Sequence, residues 1–218
     1  MARQAITWLQ DAIDDYVSTT FRNRSVVRGH YVVNNDAEQT AIAFYYDNAP
    51  TCDDSMDVIQ AYNALIVEIV LQYTYAVNTI GITFEAWEDA DTQPYVNSEA
   101  MQADVRENKH LFYYTGGETH PLLGEYNNLF RAIHDLFGHA SEGYQFGKRG
   151  EFNAYLHHSM MFSPLAQAAL ATETHGQNSW VNYGPYSALP VQSRPFAVQK
   201  CFLLPVALRD FSKYVVGL

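Results

Sequence analysis

The stretch "TCDDSMDVIQAYNALIVEIVLQYTYAVNTIG", residues 51–81, restricts the possible folds more than any other part of the chain. It opens on N-cap candidates and ends on Gly81, so it reads as one long helix. Its most apolar part, Ala64 to Thr83, carries Glu68, Gln72 and Asn78. A membrane span would have to hide those groups in hydrocarbon, whereas a helix buried in protein can pair them. Such a helix needs other elements packed around it. The chain can supply them, because 218 residues that are 48% apolar and 17% charged suit a folded core and not a disordered segment.

Elsewhere the pattern is mixed. Ile6, Leu9, Ile13 and Tyr16 recur at helical steps. "SVVRGHYVV" and "TAIAFYYD", separated by the polar "NNDAEQ", predict a β-hairpin. "ITFEAWE" and "HLFYYTG" are strand candidates on either side of a helix that begins near Ser98. Beyond Gly124 helices dominate: Glu125–Phe137 with a Leu129, Ile133, Phe137 stripe, and Glu151–Phe162 with Phe152, Leu156 and Met160. A further helix has Ser163 as N-cap, Pro164 at its first position and Gly176 as its stop. The expected fold is α+β and predominantly helical, one domain in two parts. Residues 1–124 would hold a small antiparallel sheet packed on helices, and residues 125–218 a helical half carrying the functional site.

A net charge of −11 without a basic stripe argues against nucleic acid as a partner. The opening "MARQAITWLQDAIDDY" has no apolar core of a signal peptide, and Cys52 and Cys201 stand far apart outside any metal spacing. The expectation is therefore free thiols in a reducing, cytoplasmic setting, with no membrane partner.

Chemistry concentrates in "RAIHDLFGHASEG", residues 131–143. On a continuous α-helix His134 and His139 would point about 140° apart. A helix ending at Gly138 in a left-handed turn would let His139 fold back beside His134, so that both could hold one ion. A third ligand is offered by Glu173. It shares a helix face with Ala166, Ala169 and Leu170, where a buried carboxylate normally has a cation partner or stays protonated. Two imidazoles and one carboxylate suit mononuclear iron(II) with open positions for dioxygen and a small-molecule substrate. The same set suits zinc with an activated water.

"HDLFGH" resembles the iron-binding motif H-[DE]-x-x-G-H of the pterin-dependent aromatic amino-acid hydroxylases. That resemblance implies iron ligation by His134, His139 and Glu173, the last in "ATETHGQ", which has E-x-x-G where the family has E-x-G. It also implies an acidic residue, Asp135, near a pterin. A broader similarity, through "PYVNSEAMQADVRENKHLFYY", "RGEFNAYLHHSMMFSPLAQAALATETHGQNSWVNYG" and "AVQKCFLLP", is to an uncharacterised set of phage-encoded proteins. It implies a viral origin and hence the host cytoplasm.

Remaining roles follow from position. Asp135 and Glu142 are candidates for acid–base work beside the histidines. Asn178 and Trp180, in "GQNSWVNYGPY", would line a pocket for substrate or cofactor. His157 and His158 point about 100° apart on a helix, so only one could face a shared site. Three functions are open at this point: an iron-dependent hydroxylase on a small, possibly aromatic, substrate; a zinc hydrolase with the same ligands; or a phage structural or interaction protein in which the histidines only stabilise a helical turn.

Overall fold

The computed structural model describes residues 4–22, 24–28, 35–89 and 91–215. Helix α1 (Thr7–Thr20) buries Leu9, Ile13, Tyr16 and Val17, and α3 (Met56–Tyr75) continues through a π-turn at Ala76–Ile80 to a left-handed Gly81. Around α3 lie α5 (Tyr126–Ile133) and α7 (Pro164–Ala171), the latter capped by Ser163, whose side chain accepts from the Ala166 amide. Leu65 and Ile69 of α3, Ile133 and Phe137, and Ala166, Ala169 and Leu170 share one core with α1 and α4 (Ser98–Asn108). Among the described residues no helix is long and apolar enough to cross a membrane.

A second apolar cluster joins α2 (Asp36–Asn48), α6 (Lys148–Ser159), α8 (Gln177–Tyr183) and the tail that carries α9 (Val206–Arg209). Here the expected hairpin gives way to a helix. "TAIAFYYD" lies within α2, and the "NNDAEQ" read as a turn is its start: the Asn35 side chain accepts from the Ala37 amide, and Asp36 and Glu38 occupy the first turn. Gln39, Ile42, Ala43 and Tyr46 are buried at helical spacing, so burial of one face outweighs the β-propensity of the aromatic run. Of the other arm, residues 29–33 lie outside the described residues, as does Asn34 of the expected turn.

The architecture is mainly helical α+β, as expected, but the sheet is parallel. Strands β1 (Thr83–Trp87) and β2 (His110–Tyr114) pair from Thr83↔His110 to Trp87↔Tyr114. The helix between them, α4, forms the crossover that parallel strands require, where an antiparallel pair would need only a tight turn. Gly176 does not stop a helix either. It has φ −62° and ψ −53°, and α7 runs through a π-turn at Thr172–Gly176 straight into α8.

Candidate metal centre

The five-residue interval between the histidines is resolved by a π-helical segment. After Ile133 the chain widens into a π-turn over His134–Ala140, with the Ser141 amide donating to the Leu136 carbonyl five residues back. A turn closed by i→i+5 bonds holds more residues than an α-turn, so side chains five apart return to one side. The helix therefore does not end at Gly138, and His139 does not fold back from a left-handed turn. Gly138 makes room instead. A Cβ there would lie 3.2 Å from His134 Cε1 and Nδ1 and 3.3 Å from Ala154 Cβ of α6. The two imidazoles meet edge to face, 5.2 Å between centroids.

The carboxylate that joins them is Glu151, on the first turn of α6. Its Oε2 lies 3.2 Å from His139 Nε2 and 3.8 Å from His134 Nε2. Ligand atoms of the three residues all fall within 4.8 Å of one another. An ion with bonds of about 2.1 Å needs ligand atoms roughly 3.0–3.5 Å apart, so small side-chain rotations suffice to close the set. His139 is enclosed, with a side chain 1% exposed, whereas the Glu151 side chain is 33% exposed and opens the cluster to solvent. His139 Nδ1 lies 3.3 Å from the Tyr144 carbonyl, which can only accept, so that contact favours a proton on Nδ1 and turns Nε2 toward Glu151.

Electrostatics mark the same atoms. Burial acts to lower His139, but the Glu151 carboxylate outweighs it, and with Asp135 and Tyr144 raises the imidazole to about 8. Glu151 moves the opposite way: burial would raise it, yet the charge of His139 and the contact it makes with the carboxylate hold it below the usual carboxylate range. Without metal the pair is thus an imidazolium–carboxylate, and a divalent cation would take the place of the proton on Nε2. Asp135 is half-buried, and burial pushes its carboxyl up, partly countered by His139 and His134. Asp135 thus lies beside the cluster, while the neighbouring Arg131 guanidinium donates to the Gly116 carbonyl at 2.8 Å.

Glu173 is not the third member of this group. It is buried, as the sequence pattern required, but its partners are other residues. Oε1 accepts from the Tyr62 hydroxyl and, at 3.0 Å, from His120 Nε2, while Oε2 accepts from Gln177 Nε2 at 2.9 Å. His120 Nδ1 accepts from the Leu123 amide at 2.8 Å, which places the ring proton on Nε2 and directs it to Glu173. The need for a partner that suggested a cation is met by three neutral donors.

Glu142 has partners of its own: its Oε1 accepts from Gln10 Nε2 at 2.7 Å and from Arg28 Nε at 3.0 Å, so it ties α1 to the segment after the π-turn. Trp180 and Asn178 are both buried. "QNSWVNY" is helix α8, with Trp180 Nε1 donating to Asp47 Oδ1 at 2.8 Å and Asn178 Nδ2 to the Lys148 carbonyl at 3.1 Å. Both cysteines are free, Cys52 exposed and Cys201 buried.

Sequence reasoning missed Glu151, and the signal for it was faint. An acidic residue in the first turn of a helix ordinarily complements the helix dipole. Only the packing of α6 against the π-segment gives it another role. Comparison with family models, with curated proteins and with solved structures yields no match.

Proposed function

We propose that the chain is a mononuclear metal protein in which His134, His139 and Glu151 hold iron(II), and that it carries out an oxygen-dependent oxidation of a small substrate. The observation that carries the reading is the convergence of two imidazole Nε2 atoms on one partly exposed carboxylate oxygen. Three protein ligands on one side leave further positions open, the arrangement that suits non-haem iron(II). Bound iron would supply activation of dioxygen. The protein's own contribution is to hold the ligands on a π-turn and a facing helix, to shield His139 from water, and to place Asp135 where its carboxyl can hold or accept a proton. Phe146 is 43% exposed and its ring centroid lies 5.2 Å from that of His139, which favours an apolar or aromatic substrate at the open side.

A zinc hydrolase is the second reading, favoured by Asp135, whose carboxyl is raised by burial and could serve as a base toward a bound water. Anaerobic loading separates the two. The first reading expects about one iron per chain and, in air, oxygen uptake that depends on an added aromatic substrate, with or without a pterin. Tight stoichiometric zinc and no oxygen uptake would support the hydrolase. Failure to take up any divalent metal would overturn both.

A further inference from the structure

Behind His134 runs a chain of hydrogen-bonding groups that reaches into the core. His134 Nδ1 lies 3.2 Å from His158 Nδ1, and His158 Nε2 lies 2.9 Å from Gln72 Oε1. Gln72 Nε2 in turn donates to the Met161 carbonyl at 3.0 Å. Gln72, on α3, and His158, on α6, are both fully buried. We infer that Gln72 and His158 are positioning residues that lock His134 in its Nδ1-protonated tautomer and so keep its Nε2 lone pair facing Glu151. The inference rests on the metal-site reading for its purpose, but not for its geometry.

A carbonyl cannot donate, so the Met161 oxygen fixes the Gln72 amide with its nitrogen on that side and its oxygen toward His158. That oxygen can only accept, so His158 Nε2 carries the proton. His158 is enclosed by the rings of Phe130, Phe137 and Phe162, with centroid distances of 6.5, 6.2 and 4.9 Å. An imidazole there carries a single proton, because a second would bury an unpaired charge. Its Nδ1 is therefore an acceptor, and the proton between the two rings belongs to His134 Nδ1. In the neutral His134 ring Nε2 is then the lone-pair atom, as a metal ligand must be. A structural core alone would not need this order, since either tautomer of an isolated histidine packs equally well.

The test is direct. Long-range proton–nitrogen NMR on the metal-free full chain, labelled with ¹⁵N-histidine and assigned with His134→Gln and His158→Gln variants, reads the tautomer of each ring. The expected result is Nδ1-protonated His134 and Nε2-protonated His158. An Nε2-protonated His134 would overturn the relay. In Gln72→Met, which keeps the volume but removes the acceptor, His134 should lose its single tautomer. Affinity for cobalt(II), followed by its visible absorption, should fall roughly 10–100-fold in that variant. Unchanged tautomer and affinity in a folded Gln72→Met protein would also overturn the relay. The expected tautomers in a wild-type chain that takes up no iron(II), cobalt(II) or zinc(II) would support the relay while overturning the metal reading, so the two failures are separable.

Discussion

Two buried clusters in this molecule use almost the same side chains and reach opposite ends. Around Glu173, a histidine, a tyrosine and a glutamine all donate to one carboxylate, and His120 spends its other nitrogen on backbone amides. Around Glu151, two histidines point Nε2 at one oxygen, their Nδ1 atoms are engaged elsewhere, and the carboxylate reaches solvent. The first cluster is saturated and pins α3, the loop before α5, and α8 together. The second has lone pairs that only a proton or a cation can satisfy. Residue type does not separate the two clusters; the number of donors already in place does.

The contrast breaks most sharply at Glu173. In Glu173→Ala the Tyr62 hydroxyl, His120 Nε2–H and Gln177 amide lose their acceptor in the core, which should cost about 3–5 kcal/mol in urea unfolding and leave metal uptake unchanged in the folded fraction. A nearly neutral effect would mean that water or a neighbour replaces the carboxylate, and that the knot is not one. Next in size is Gly138→Ala. The added methyl would press on the His134 ring and on Ala154, an overpacking worth about 1–3 kcal/mol, and should weaken metal binding because it displaces a ligand. Full affinity in a destabilised Gly138→Ala protein would show that the close contact serves packing alone.

The open cluster should also reveal itself through pH. His139 titrates at about 8 in the folded chain, above the roughly 6.5 of an unfolded one. Its attraction to Glu151 therefore stabilises the metal-free fold fully below about pH 6.5 and is lost as pH rises through about 8. The contribution is at most about 2 kcal/mol, reduced by solvent reaching Glu151. Urea midpoints measured from pH 6 to 9 should fall across that window in wild type and stay flatter in Glu151→Gln; a rise in wild type would contradict the pairing. Smallest is Trp180→Phe. It removes one hydrogen bond to Asp47 and should cost about 0.5–1.5 kcal/mol without touching metal content, where a change in metal content would restore Trp180 to the site.

Much of this architecture was legible in the chain, because periodic burial leaves a plain mark. The α1 stripe, the long α3 with its glycine end, the two strands around Ser98 and the Ser163–Pro164 helix start all follow from local rules. The α2 segment misled because its aromatic run has strand propensity while its buried face has helical period. Parallel pairing depended on what lies between the strands. At the site, His134 and His139 were visible as a pair, but the π-turn that unites them leaves no pattern in composition. Glu173 looked right for a sound reason, a carboxylate on a buried face, and its donors come from α3, a loop and α8, far apart in sequence. Glu151 looked like an ordinary first-turn acid. Proximity across elements decides such cases, and local sequence does not encode it.

Glu151, and not Glu173, is the third ligand in the proposed metal site. Elemental analysis after anaerobic iron(II) loading, on wild type, Glu151→Ala and Glu173→Ala in parallel, tests it most directly. The expected result is about one iron per chain in wild type, none in Glu151→Ala, and undiminished iron in whatever Glu173→Ala remains folded. Iron kept by Glu151→Ala and lost from a folded Glu173→Ala would contradict the account.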